Sequence, residues 1–142
     1  MPLEMLIKKT SDSAKIPSYA REGDAGLDLH SIEEKSIKPM EIERVKTGIA
    51  LEIPSGFVGI VKDKSGLALQ GIHCLAGVID SGYRGELEIV AVNHGKNTFQ
   101  IKKGQKIAQI LILPFSSVKV REVENLRETE RGKKGFGSTG RE

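Results

Sequence analysis

The sequence predicts an all-β sandwich or barrel with at most one short helix. Two observations carry this. Short runs of β-type residues recur at close spacing, with turn clusters between them. No stretch keeps the apolar period of a three-turn helix. EMLIKK (4–9) comes first. REGD (21–24) turns the chain into AGLDLHS (25–31), and KSIKP (35–39) and the long run IERVKTGIALEI (42–53) follow. PSG (54–56) separates these from FVGIVKD (57–63). SGLALQG (65–71) is the candidate for the short helix. SGYRG (81–85) leads into ELEIVAVN (86–93), where Leu87, Ile89 and Ala91 share one face. Val90 and Val92 make the opposite face apolar too, which predicts a strand buried on both sides. FQIKK (99–103), KIAQILILPF (106–115) and SVKVREV (117–123) complete the β pattern, with NHGKN and KKGQ as turns. NLRETERG (125–132) holds helix formers but too few apolar residues to dock firmly. The organisational break falls at 124–130, dividing a β domain over 1–123 from a flexible C-terminal arm over 124–142.

A chain of 142 residues suits one domain. No run approaches the roughly 20 apolar residues of a membrane-spanning helix, and MPLEMLIKKT lacks the apolar core of a secretory signal. Cys74 is the sole cysteine, which excludes an intramolecular disulfide and a multi-cysteine zinc site and predicts a reducing, cytoplasmic setting. The net charge of +3 comes from 22 bases interleaved with 19 acids. That pattern suits a small anionic ligand rather than a nucleic-acid duplex.

Four stretches and the tail stand out from this scaffold. In DAGLDLHS, Asp28 faces away from Leu27 and Leu29, and taken alone it reads as a solvated strand residue. In KDKSGLA, Lys64, Ser65 and Gly66 combine a cation, a hydroxyl and a free amide at a strand end. This is either an anion cradle or a turn with a capping serine. In AGVIDSGYRG, Asp80-Ser81-Gly82 reads as a hairpin turn. The turn either simply packs Tyr83 beside it or presents a carboxylate against apolar walls, where it can orient and deprotonate water. In GQKIAQILI, Gln109 sits among Ile107, Ala108, Ile110 and Leu111. It is either a hydrogen-bonded structural amide or a group facing an aqueous cleft. RGKKGFGSTG (131–140) places Phe136 in a glycine-rich tail with no core to join.

Taken in order, AGLDL, KSGLA, GVIDSGYRG, GQKIAQ and RGKKGFGSTG resemble the five motifs of the trimeric dUTPases, the deoxyuridine triphosphate nucleotidohydrolases. The resemblance runs over nearly the whole chain. It implies a jelly-roll-like β fold and a homotrimer with three active sites, each assembled from three subunits. It implies Mg2+-dependent hydrolysis of dUTP to dUMP and pyrophosphate, which keeps uracil out of DNA and supplies dUMP. By this resemblance Asp80 activates the water that attacks the α-phosphorus. The backbone from Gly77 through Val78 and Ile79 to Tyr83 reads the uracil edge, and Tyr83 packs under the deoxyribose and excludes a 2′-hydroxyl. Ser65, Gly66 and Gln109 contact the phosphates, and Lys64 belongs to the same substrate-binding set. Asp28 holds the metal through water only. From the tail, Arg131 and Ser138 bind the γ-phosphate end, Phe136 stacks on uracil, and Gly137 joins them in substrate binding.

The sequence departs from the family pattern at Leu27, where an aromatic is usual, and at Asp63-Lys64, where Pro-Arg is usual. It departs again at Gln105-Lys106, in place of Asp-Arg, and at Lys134, in place of glycine. Two alternatives share the fold. A dCTP deaminase-like enzyme needs a glutamate about where Val90 stands, and Glu88 falls two residues short. A non-catalytic nucleotide sensor could dispense with Asp80 or the tail, and both are present. His30, His73 and His94 read as structural, and Cys74 as a buried small hydrophobe. The apolar residues of ELEIVAVN and KIAQILILPF exceed what one small sandwich needs, which predicts a threefold interface to cover them.

Overall fold

Eleven strands and one helical turn appear in a computed structural model that describes residues 3–137 and 140. In chain order they are β1 (Leu6–Lys9), β2 (Ser18–Tyr19), β3 (Leu27–His30), β4 (Lys35–Ile37), β5 (Ile42–Glu52) and β6 (Phe57–Lys62). Then come α1 (Ser65–Ala68), β7 (Ile72–Leu75), β8 (Val78–Ile79), β9 (Glu86–Asn93), β10 (Phe99–Ile101) and β11 (Lys106–Pro114). One sheet has the order β1-β5-β9-β7, another the order β2-β3-β11-β6-β8, and β10 pairs with β4. Every pairing is antiparallel. The chain is thus the expected all-β, jelly-roll-like sandwich.

Alternation builds the core. Val45, Ile49 and Leu51 of β5 and Leu87, Ile89 and Ala91 of β9 point inward from the four-stranded sheet. They meet Leu29 of β3, Val61 of β6 and Ile110 of β11 from the five-stranded sheet in one buried cluster. Gly48 sits where the β5–β9 register shifts, at φ +70°, and a Cβ there would lie 2.9 Å from Ile32 and 3.0 Å from Ala14. The bulge therefore needs glycine for both its backbone conformation and its space. Two buried polar side chains are bonded into this core: Asn93 Nδ2 donates to the carbonyls of Ile37 and Asn97, and the Thr47 hydroxyl donates to that of Leu87.

Three expectations change. SVKVREV forms no strand: regular structure ends at Pro114, and Val118 and Val120 are exposed. Its alternation is real, but no strand of the same chain pairs with it. β9 is buried on both sides only at its end, with Val92 and Asn93 inside while Val90 is half-exposed. The surplus apolar surface accordingly does not lie on β9. Exposed apolar residues instead include Val78, Leu113 and Phe115 and, beyond β11, Val118, Val120 and Leu126. Sequence reading also passed over β2 and β8, two residues each, and the four-residue β7.

Candidate active site

Several of the sequence-selected residues line two separate clefts. The first, about 300 Å3, is lined by Val78, Ile79, Asp80, Tyr83, Glu86, Leu87, Glu88 and Val90. β8 makes one wall by pairing with β6, Ile79 opposite Gly59 and Val78 opposite Ile60. Gly77 lets the chain enter at φ +103°, where its carbonyl accepts the Val61 amide at 2.8 Å. A Cβ at Gly77 would lie 3.0 Å from the Val61 carbonyl oxygen, so a side chain would push β8 off β6. Ala76, just before it, holds φ +60°, a conformation that costs a non-glycine residue energy and is concentrated at functional sites.

The turn after β8 is closed by the Tyr83 amide donating to the Asp80 carbonyl at 3.1 Å. β8 pairs with β6 and β9 with β5 and β7, so this turn carries the chain from one sheet to the other. It is not the bend of a two-stranded hairpin, as the sequence suggested. Tyr83 donates its hydroxyl to the Glu86 carbonyl at 3.1 Å, and its ring lies over Gly85, where any Cβ would overlap it. Gly85 is thus a site residue that the sequence reading left unassigned. Its signal was the Tyr-Arg-Gly spacing after the turn. Tyr83 remains 48% exposed, a ring held at its hydroxyl with a face open to solvent.

Asp80 is exposed, and among the described residues no side-chain hydrogen bond or ion pair engages its carboxylate. The other cleft carboxylates are committed. Glu88 pairs with Arg44 at 3.4 Å, and Glu86 meets the Thr10 hydroxyl at 3.4 Å and the Gly48 amide at 3.3 Å.

The second cleft, about 450 Å3, is lined by residues that include Gly26, Asp28, Lys62, Asp63, Lys64 and Gln109. None of its lining residues lines the first. Asp28 is not the solvated residue that alternation suggested: it is 2% exposed. Lys64 Nζ reaches its Oδ1 at 2.7 Å and Lys106 Nζ its Oδ2 at 3.1 Å, the latter an ion pair without hydrogen-bond geometry. Burial pushes the Asp28 carboxyl up, but the Lys64 hydrogen bond and the charge of both lysines outweigh it and hold it below its ordinary value. Lys106 is a second residue the sequence reading missed, although it stands at a noted departure from the family motif. His30, beside it in register, is pushed down by burial and by Lys15.

Ser65 does not cap α1. The cap position is Lys64, without a side-chain cap bond, and Ser65 and Gly66 open the helix exposed. A Cβ on Gly66 would meet open space, so the chain's own packing does not require glycine there. Gln109 satisfies both of its sequence readings. Its Nε2 donates to the Asp63 carbonyl at 2.7 Å while the side chain faces the cleft. Its Oε1 occupies the space that a side chain on Gly26 would need. Cys74 is half-buried rather than fully buried, and burial together with Asp63 pushes its thiol up to about 12, away from thiolate chemistry.

Among the described residues, the tail lines neither cleft. Arg131 donates Nε to the Lys134 carbonyl at 3.0 Å, Phe136 is fully exposed at φ +50°, and Gly137 follows at φ +91°. Ser138 lies outside the described residues. Among the described residues no group of three or more His, Cys, Asp or Glu is placed to hold a metal ion.

Residues 12–140 match the family model for dUTPase. The chain is 51% identical over 141 residues to a deoxyuridine 5′-triphosphate nucleotidohydrolase of Clostridium kluyveri, covering 97% of this chain and 99% of that one. It is 49% identical to the protein of that name from Clostridioides difficile, covering 94% and 96%. Among solved structures it is similar to the dUTPase of Staphylococcus bacteriophage 80alpha with dUpNHpp, at TM-score 0.92 and 30% identity over 96% of this chain and 98% of that one. It is also similar to a mutant dUTPase from phage phi11 of S. aureus, described as revealing the coordination of a structural Mg(II) ion, at TM-score 0.81 and 28% identity over 86% and 97%.

Proposed function

This chain belongs to the dUTPase family, as an enzyme of the dUTP diphosphatase class, and from that premise we propose how it works. It converts dUTP and water to dUMP and pyrophosphate by direct attack of water on the α-phosphorus. The observation that carries the reading is the separation of the two clefts: a free carboxylate beside an open aromatic ring in one, and cationic and amide donors in the other. A nucleoside triphosphate needs both, so a complete site takes one cleft from each of two subunits and the tail from a third. Three such sites close a homotrimer. The exposed apolar residues of β8, the end of β11 and the arm supply surface for it.

Asp80 accepts the proton of the attacking water, a task worth typically about 10²- to 10⁴-fold. Its freedom from partners suits it to that role, because its lone pairs are not already given to donors. The backbone from Gly77 to Tyr83 reads the uracil edge, and the Tyr83 face packs against deoxyribose, leaving no room for a 2′-hydroxyl. At the other cleft, Lys64 and Lys106 both reach Asp28, and their ammonium groups offer positive charge to a polyanion. Ser65, Gly66 and Gln109 direct donors at the phosphates. Arg131 offers a planar fork to the terminal phosphate, and Phe136 stacks on the base as the tail closes. Ser138 belongs with them by its place in the motif.

Mg2+ fits as an ion carried by the triphosphate rather than by a protein cage, since among the described residues no three His, Cys, Asp or Glu side chains gather to hold one and small hard cations retain water and phosphate ligands. Asp28 would hold it through water, and the bound ion would neutralise phosphate charge and align the chain for attack. The enzyme works in the cytoplasm, where it keeps uracil out of DNA and supplies dUMP. Pyrophosphate release from dUTP, beside UTP, dTTP and dCTP, with and without Mg2+, tests the reading. Turnover of dUTP far above the others is expected. Equal kcat/KM for UTP would overturn the sugar assignment, and ammonia from dCTP would move the chain to the deaminase reading.

A further inference from the structure

Asp63 stands where the chain leaves β6 for the Lys64–Gly66 turn, and it ties that point to two other strands. Its Oδ1 accepts the Cys74 amide at 2.6 Å, and its Oδ2 lies 2.7 Å from His73 Nδ1. Its carbonyl oxygen accepts Gln109 Nε2 at 2.7 Å. β7 is the edge of its sheet, so the carboxylate supplies an acceptor that no neighbouring strand provides there. His73 is braced in turn against His94, with ring centroids 6.4 Å apart and planes at 29°. A proline at position 63 could make none of the side-chain bonds.

We propose that Asp63 is a positioning residue for the phosphate half of the active site. Its carboxylate fixes the end of β6 onto β7, and its carbonyl takes one of the two Gln109 amide protons, leaving the other for the cleft. Lys64, Ser65, Gly66 and Gln109 are thereby aimed as a set. Donor geometry of this kind must hold within about half an ångström, and it does so only when the supporting groups are themselves bonded. The proposal rests on the hydrolase reading above and concerns a residue outside its substrate contacts.

The test measures kcat and KM for dUTP and the inhibition constant of deoxyuridine, which carries no phosphate. Wild type, Asp63→Ala, Asp63→Asn and His73→Gln are compared. Losing charge-assisted support should raise KM of Asp63→Ala about 10-fold or more while deoxyuridine inhibition changes less than about 2-fold. Asp63→Asn keeps an oxygen for the Cys74 amide and should recover most of the loss. His73→Gln should move KM the same way by less, and it reads the same coupling if Asp63→Ala does not fold. A KM within about 2-fold of wild type in both Asp63→Ala and His73→Gln overturns the proposal. So does a proportional loss of deoxyuridine binding, which marks a general packing defect. Wild-type protein that fails to turn over dUTP overturns the hydrolase reading, and this proposal with it.

Discussion

Two aspartates of this chain stand in opposite environments. Asp28, on a central strand, is buried between two lysines, and its carboxyl is held below the ordinary value. Asp80, on a turn between sheets, is exposed and without a side-chain partner among the described residues. A carboxylate whose charge holds two cations in place resists protonation and serves geometry and field. One left free at a cleft wall can take a proton from water. Sequence identity does not separate the two; environment does.

The strongest way to break this comparison is Asp80→Asn. It should lower kcat by at least about 10²-fold with little change in KM or thermal stability. A kcat within about 3-fold of wild type would make Asp80 scaffold. Deleting residues 131–142 should cost kcat/KM about 10²-fold, or about 2.7 kcal/mol, while the β domain and its assembly stay intact. Normal turnover by that truncation would leave both clefts sufficient without the tail. Mixing subunits tests whether the clefts belong to one site. Asp80→Asn co-refolded with a Ser65→Ala, Gln109→Ala double variant should regain roughly a quarter of wild-type sites, because each site then draws at random from two subunits. No recovery would mean that each subunit completes its own site.

Asp28→Asn should behave in the opposite sense to Asp80→Asn. It should lower stability measurably, toward the lower end of about 1–3 kcal/mol. Lys64 and Lys106 are 32% and 52% exposed, and water takes up part of their charge. An unchanged denaturation midpoint would show that the buried ion pairs are neutral to folding. The smallest effect is in pH. Asp28 and Asp63 are both held below the ordinary carboxylate value, so the unfolded chain takes up protons at higher pH than the folded one. The stability they contribute is complete above about pH 4 and is lost as pH falls through their lower folded values. Melts across pH 2–6 should steepen at the acid end, and Asp28→Asn should flatten part of that slope.

The sequence alone determined much of this molecule. Alternation and turn clusters marked eight of the strands, because period-two burial is written directly in residue order. The five motifs singled out Asp80, Tyr83, Gln109, the Lys64–Gly66 turn and the tail as candidates, because the family resemblance is carried by residue type at short spacing. The tertiary structure alone decided the rest. Asp28 became a buried ion-pair centre only because β11 brings Lys106 and the end of β6 brings Lys64 to it. SVKVREV kept its alternation yet formed no strand, because pairing is a property of the neighbour and not of the run. The turn at Asp80 crosses between sheets, and the two clefts lie apart, for the same reason: position in a sandwich depends on long-range contacts that no local window contains.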